Sequence, residues 1–421
     1  MTRRSYGRQR ASSAAGWFWA DTTTESPALT PAERRRSLSA AIAAVTVFGL
    51  GIGQSVPLLP LLLESRGTDT TVNGLNAAAS FLGVILGPLL APRCARRLGV
   101  RDFLLACFAL DMIVFALMKP FDGIATWFVL RFLLGVIGSS IFTVSEASIN
   151  LLADDATRGR IIGLYAAALS AGFALGPLLL SATGIHGWPP FLANIAITAA
   201  ASLPLFGVGN LGRDLRREPL ASVLGAFTTV PFILFAIAVF GLYEATLMAL
   251  LPIWSVRLGL TARLAAATVS AAYLGAIALQ FPIGWLSDRM ARPTVLRLCG
   301  VAGCGGAVLL SIVAASPLPP VRPLFVLLFL WGGIAAGIYP VVLGMVGDRF
   351  RGNELVSVNA ATIMAYGCGA LLGPPLGGAA MDIWNPQGLL GFFVLVFAAF
   401  LPVTLLARRF SSISSPGTRG Q

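Results

Sequence analysis

Twelve apolar runs, each close to the length a helix needs to cross a bilayer, leave this chain few ways to fold. They lie at about 38–63, 71–92, 103–118, 124–148, 161–183, 190–208, 226–254, 264–285, 294–315, 323–346, 356–381 and 388–407. A spanning helix takes roughly 20 residues. In hydrocarbon every backbone N–H and C=O must be bonded internally, which selects helices and lets neighbouring helices accommodate Gly and Pro. A soluble domain would carry roughly 25% charged residues. This chain of 421 residues carries 11%, with 56% hydrophobic residues and a mean hydropathy of +0.82. An all-α integral membrane protein follows.

The net charge of +12 invites a nucleic-acid reading, but the charges sit in alternate gaps between the runs. That is the signature of membrane topology. With the N-terminus inside, 24 Lys and Arg fall on the inner face, 5 on the outer face, and Arg131 lies within a run. Both termini are therefore expected in the cytoplasm, and no nucleic-acid partner is expected. Residues 1–36, polar and Arg-rich with a Trp17-Phe18-Trp19 cluster, lack the 7–15-residue apolar core of a secretory signal and read as a disordered cytoplasmic tail. Arg is used almost to the exclusion of Lys, Lys119 being the one lysine. With no targeting segment, this points to a bacterial inner (plasma) membrane. Five cysteines without metal-ligand spacing and the single His186 offer no material for a metal centre. No Walker motif or extramembrane domain is present to use ATP, so neither an enzyme nor a cofactor is expected.

The chain also repeats itself. Phe128–Phe142, FVLRFLLGVIGSSIF, returns at Phe325–Tyr339 as FVLLFLWGGIAAGIY, identical at eight of fifteen positions. Upstream, Phe48-Gly49-Leu50, Pro60, Gly67 and Leu82-Gly83 recur 192 positions on. From Phe128 the offset is 197, matching Gly172, Gly176 and Pro177 to Gly369, Gly373 and Pro374. The five extra residues fit the Pro-rich loop at 316–323. Two parallel halves are expected: a six-helix bundle at 37–208, a cytoplasmic linker at 209–225, a second bundle at 226–407 and a cytoplasmic tail at 408–421. Such repeats place a substrate site at the midplane between the halves, which rock against each other.

Twelve helices in two pseudo-symmetric six-helix bundles resemble the major facilitator superfamily, and the likeness covers everything after the tail. Arg131-Phe132-Leu133-Leu134-Gly135 resembles the family's RxxxG motif, associated with proton coupling. Gly284-Trp285-Leu286-Ser287-Asp288-Arg289, with Arg292, resembles the loop that latches the cytoplasmic side. Gly163, Gly172, Gly176 and Pro177 resemble the helix-5 motif of antiporters. Glu146 with Arg158-Gly159-Arg160, and the stretch Gln280 to Gly284, look like the YcaD-like bacterial branch. There are departures. Arg96 and Pro92 stand where the first copy of the loop motif has aspartate and glycine, and Leu180-Ser181 replace two glycines of the antiporter signature.

Candidate site residues fall into three groups. For substrate or proton translocation they are Glu244, Arg131, Asp111, Gln54, Gln280 and Tyr339, with Tyr273 and Tyr366 as similar contributors. An intramembrane ionisable group is functional by default. Arg131 and Asp111 each lie about seven residues from the outer end of their helices, roughly 10 Å deep at 1.5 Å per residue, where adjacent helices could pair them. Glu244 is close to the midplane, and its repeat position is Ile52, so symmetry does not demand an acid there. For cytoplasmic gating they are Glu146, Arg158, Gly284, Asp288, Arg289 and Arg292, the arginines contacting acids such as Glu146 or lipid phosphates. Gly172, Gly176, Pro177, Gly369, Gly373 and Pro374 are helix-packing hinges.

The resemblance and the residues together imply a secondary active transporter of a small organic solute, working by alternating access. Proton-coupled efflux leads. Proton-coupled uptake of a small metabolite is the alternative, and a non-transporting sensor or assembly factor on the same scaffold is the third. Its partners are the solute, protons and membrane lipids, and it is expected to act as a monomer.

Overall fold

The computed structural model describes residues 31–411, apart from 153–157, 208–224, 226, 317–319 and 351. Helices account for nearly all of it. The N-terminal half comprises α1 (Pro31–Ser65), α2 (Thr70–Leu98), α3 (Val100–Met118), α4 (Ile124–Leu152), α5 (Arg158–Thr183) and α6 (Pro189–Phe206). The C-terminal half comprises α7 (Pro231–Arg257), α8 (Ala262–Arg289), α9 (Arg292–Ala314), α10 (Val321–Ala336), α11 (Ile338–Arg349), α12 (Gly352–Ile383) and α13 (Gly388–Ser411). Eight stretches among the described residues are long and apolar enough to cross a membrane, with α10 and α11 counted as one. The other four expected spans are α3, which carries Arg101, Asp102 and Asp111, and α5, α12 and α13.

Two boundaries differ from expectation. The helix α1 begins at Pro31, inside the stretch expected as tail, with Glu33 in its first turn. Residues 1–30, most of the linker and the chain from 412 lie outside the described residues. The tenth run, expected as one helix, is two. Gly337 closes α10 with a tight amide bond to the Ile334 carbonyl (3.1 Å), and α11 starts at the next residue. A Cβ at Gly337 would lie 2.5 Å from Ile283 Cδ1 of α8, so glycine permits the close approach there. The first copy has Ser140 at this place, its hydroxyl bonded to the Val136 carbonyl (2.6 Å), and α4 runs on unbroken.

The packing follows the repeat. In the first half α2 packs on α4, α1 on α5 and α6, and α3 on α6; in the second α8 packs on α10, α7 on α12 and α13, and α9 on α13. The glycines set these crossings. A Cβ on Gly83 would strike the Phe132 carbonyl and one on Gly135 the Ser80 carbonyl. In the second half Gly275 meets the Phe329 carbonyl and Gly332 meets Ala272, each displaced by its repeat offset. Gly172 lies against Thr46 and Leu50 as Gly369 lies against Ala238 and Leu242. Small residues let helix backbones touch where no hydrophobic force joins them.

Between the halves the main packed pairs are α2 with α12, α5 with α8 and α1 with α7, with lesser contacts of α2 with α7 and of α1 with α8. Their closest links sit at the face away from the chain termini, here the far face. Arg257 at the end of α7 forms a two-pronged ion pair with Glu64 at the end of α1, Nε to Oε1 at 2.7 Å and Nη2 to Oε2 at 3.1 Å. Asp382 of α12 accepts from the first amides of α2, Thr70 N at 3.0 Å and Thr71 N at 2.7 Å, and from the Thr71 hydroxyl at 2.6 Å. Asp69, which precedes α2, makes no side-chain cap, so the opposite half caps this helix. Ser181 of α5 donates to the Arg263 carbonyl of α8 (2.8 Å). Toward the terminal face, among the described residues, α4 packs only within the first half, and α10 and α11 only within the second.

Candidate functional site

A cavity of about 370 Å³ lies between the halves. Helices α1 to α6 form most of its wall; α7 contributes Ala245, Met248 and Ala249, and α12 contributes Ile363 and Tyr366. Its wall runs from Leu59, near the far end of α1, to Glu146, an exposed residue in the last two turns of α4. The Glu64–Arg257 and Asp382 links close the far side, whereas among the described residues the backbones of α4 and of α10–α11 pack only within their own halves.

Arg131 and Asp111 both face this cavity, but they are not the pair that sequence spacing suggested. Asp111 Oδ2 accepts a hydrogen bond from Thr198 Oγ1 of α6 at 2.9 Å. No ion pair joins it to Arg131 among the described residues. Its neighbour is a hydroxyl because α3 packs on α6 as well as on α4. Arg131 is 4% exposed, and its Nη1 is buried with no hydrogen-bond partner.

Glu244, at the midpoint of α7, is not in the cavity wall. It lies in a small void of the second half beside Phe240, Tyr243 and Tyr273. Its carboxylate accepts from Tyr273 Oη at 3.0 Å, and Tyr366 lies beside it. Tyr366 lines the large cavity and neighbours Glu244. Phe173 of the first half meets the Tyr273 ring across the interface at 6.3 Å.

The remaining candidates separate. Gln54 is fully buried and ties α1 to α6: it donates to the Pro190 carbonyl (2.8 Å), and Asn194 donates to it at 3.4 Å. It is therefore a helix tie outside the cavity wall, because its amide is used up by the backbone of α6. Gln280 is exposed and borders neither void. Tyr339, at the start of α11, is 40% exposed and stacks near Phe240 at 5.2 Å, also outside the cavity wall.

Of the gating set, Glu146 is at the cavity mouth, and the Arg158 side chain lies outside the described residues. Arg292 pairs with Asp348 of α11 at 3.1 Å and not with Glu146, since the two residues flank adjacent helix ends in the same half. Arg289 lies over the Trp285 ring at 4.0 Å, and Asp288 is exposed. A Cβ at Gly284 would meet nothing within 4 Å. The six hinge positions all lie in α5 and α12, where the four glycines and prolines contact α1 and α7 or sit in helix interiors.

Glu64, Arg257, Asp382, Asn194 and Thr198 were not singled out from the sequence. A signal existed for the first three: they are charges at span ends on the face with only five Lys and Arg, and their repeat positions hold Val256, Ser65 and Ile185. Thr198 and Asn194 carry no such mark.

Comparison with known proteins agrees with this architecture. The sequence profile of the Major Facilitator Superfamily matches residues 39–270 and again 233–421. The uncharacterized MFS-type transporter YfkF of Bacillus subtilis is 23% identical over 366 residues, covering 84% of this chain and 91% of YfkF. The MFS-type transporter YcaD of Escherichia coli is 28% identical over 371 residues, covering 85% and 92%. Among solved structures, that of the nucleoside transporter NupG superposes with a TM-score of 0.70 at 14% identity, covering 90% of this chain and 98% of that one. A two-half helical frame around a central cavity, matched by the family profile over nearly its whole length, places the chain in the Major Facilitator Superfamily of multi-pass membrane transporters.

Proposed function

We propose that the chain is a secondary transporter that moves a small organic solute across a bacterial inner membrane by alternating access, with the terminal face in the cytoplasm. The observation that carries this reading is the cavity itself: both halves line it, and links between them close its far side. A drug-sized solute occupies pockets of about 300–1,000 Å³. The 24-to-5 excess of Lys and Arg supports the orientation.

Proton coupling is the energy source of this reading, with Glu244 as the proton site. Its carboxylate is half-buried, bonded to Tyr273, and neighbours the cavity wall at Tyr366. Loss of its proton would recast the Tyr273 and Tyr366 hydroxyls, and with them a part of the cavity wall. Efflux in exchange for protons is the leading direction. Uptake with protons is the second, favoured by Leu180-Ser181: Leu180 is buried, and Ser181 is bonded across the interface where an antiporter has glycines.

The test uses liposomes holding the purified protein and a pH-sensitive dye, with candidate solutes added under an imposed pH gradient. Solute-dependent proton movement in wild type and none in Glu244→Gln is the expected result. Unchanged movement in the variant sinks the assignment of Glu244. Solute flux indifferent to any pH gradient sinks the coupling, and no flux with bound solute favours the sensor reading. The sign of the proton movement separates the two directions: solute added outside drives protons out of the liposomes in exchange and into them in symport.

A further inference from the structure

We propose that the cavity selects organic monoanions, a carboxylate on an apolar body, and that Arg131 is the group that binds the carboxylate. The proposal rests on the cavity being the transport site.

A guanidinium that is 4% exposed needs a partner, since an uncompensated buried charge is among the costliest features a fold can carry. Arg131 has none among the described residues: Nη1 is orphaned and no acceptor or acid is within bonding distance of the group. The acid sharing its cavity, Asp111, is engaged by Thr198, and Glu146 lies fifteen residues along α4, about 22 Å away at 1.5 Å per residue. The guanidinium thus lies in the wall of an open volume with its fork unused. That planar fork matches a carboxylate with two parallel hydrogen bonds.

The rest of the wall argues for one anionic group and little else that is polar. Polar side chains of the wall are committed to backbone: the Ser139 hydroxyl to the Gly135 carbonyl (2.8 Å), Thr143 to the Ser139 carbonyl (2.8 Å), and the Asn194 amide to the Gly51 carbonyl (2.8 Å). A sugar or a polyphosphate would find few free donors. An apolar body would meet Phe48, Phe81, Phe115, Phe142, Phe173 and Met248. Among the described residues no Lys or second Arg lines the cavity, which argues for a single negative charge.

The experiment measures binding of phenylbutyrate and octanoate, their primary amides and the corresponding amines to purified protein in lipid nanodiscs, by intrinsic fluorescence and thermal shift. In wild type the acids should bind at least about tenfold more tightly than the amides, the scale of a charge-assisted pair. Arg131→Met should erase that preference while leaving amide binding, and Arg131→Lys should keep part of it. Equal binding of acid and amide, preference for the amine, a preference that survives Arg131→Met, or no binding by either acid overturns the proposal. If Arg131→Met does not fold, the acid–amide comparison in wild type still decides. A separate flux assay with radiolabelled phenylbutyrate keeps the two readings apart. Acid-selective, Arg131-dependent binding without flux refutes the carrier and leaves the site. Flux of acid and amide alike does the reverse.

Discussion

Gly83 and Gly135 join α2 to α4 by the same contacts through which Gly275 and Gly332 join α8 to α10, yet what surrounds the two crossings is opposite. In the first half, α3 and α6 meet through Asp111 and Thr198 beside an open volume. In the second, the residue at the Asp111 position is Gly303, and Phe397 packs where its Cβ would be while Trp331 donates to its carbonyl (2.8 Å). Tyr243, Trp331, Phe393 and Phe397 then fill the interior with rings 5.3–5.6 Å apart. Arg131 corresponds to Leu328, which is fully buried in that core. One frame, built twice, is hollow and charged in one copy and filled with aromatic rings in the other. The shared residues are those that hold helices together, and the residues that differ are those that could act on a solute or a proton.

The comparison can be broken at several points. Glu244→Gln gives the largest expected effect: solute-driven proton movement falls to that of protein-free liposomes, although the cavity wall is untouched. Next, exchanging the repeat positions should be lopsided. Leu328→Arg puts an unpaired charge among buried rings and should destabilise by about 3–5 kcal/mol, seen as loss of the monodisperse peak on size exclusion. Arg131→Leu should fold as well as wild type or better, because replacing a buried charge by a similar-sized apolar group is often neutral or stabilising by about 1–4 kcal/mol. A thermal midpoint that falls sharply in Arg131→Leu would mean the arginine is structural.

Smaller effects test the symmetric frame. Gly135→Ala and Gly332→Ala should each cost about 1–3 kcal/mol by overpacking, with similar drops in thermal midpoint. A large difference between them would show that the halves do not share their packing after all. Glu64→Gln should weaken the far-face closure by about 1 kcal/mol, the pair being 19% and 15% exposed, which spin labels on the far ends of α1 and α7 would report as a longer distance. Gly284→Ala should change the thermal midpoint least, within about 0.5 kcal/mol, since the added methyl meets open space.

Much of the frame was legible because its causes are local. Hydrocarbon length writes itself into apolar runs, and close helix approach writes itself into glycines at fixed offsets. The broken tenth span was not legible, since Gly337 lies in an apolar run that contains other glycines and the break depends on Ile283 of another helix. The acidic and basic candidates were found by their oddity in apolar sequence, and Arg131, Asp111 and Glu146 do line one cavity. Their partners were not found. Whether Asp111 meets Arg131 or Thr198 is decided by the rotation of three helices, which spacing along one chain does not encode. Gln54 and Gln280 show the same limit: both are polar groups in spans, and one is a buried tie while the other is exposed.

The start of α2 is capped by a residue of the opposite half, and under the proposed alternating access this has a consequence for affinity on the two sides of the membrane. Asp382 satisfies three donors of Thr70 and Thr71. A rocking motion that opens the far face pulls the carboxylate off and leaves a bare helix terminus behind. If that clasp is worth about 2 kcal/mol, near the upper end for a charge at a helix N-terminus, the unloaded protein shows its far-side doorway roughly one time in thirty. A solute approaching from that side would then meet a site of the same intrinsic chemistry but about thirtyfold weaker apparent affinity. Sidedness of this kind needs no difference between the two openings of the cavity, only a helix end that one half cannot cap by itself.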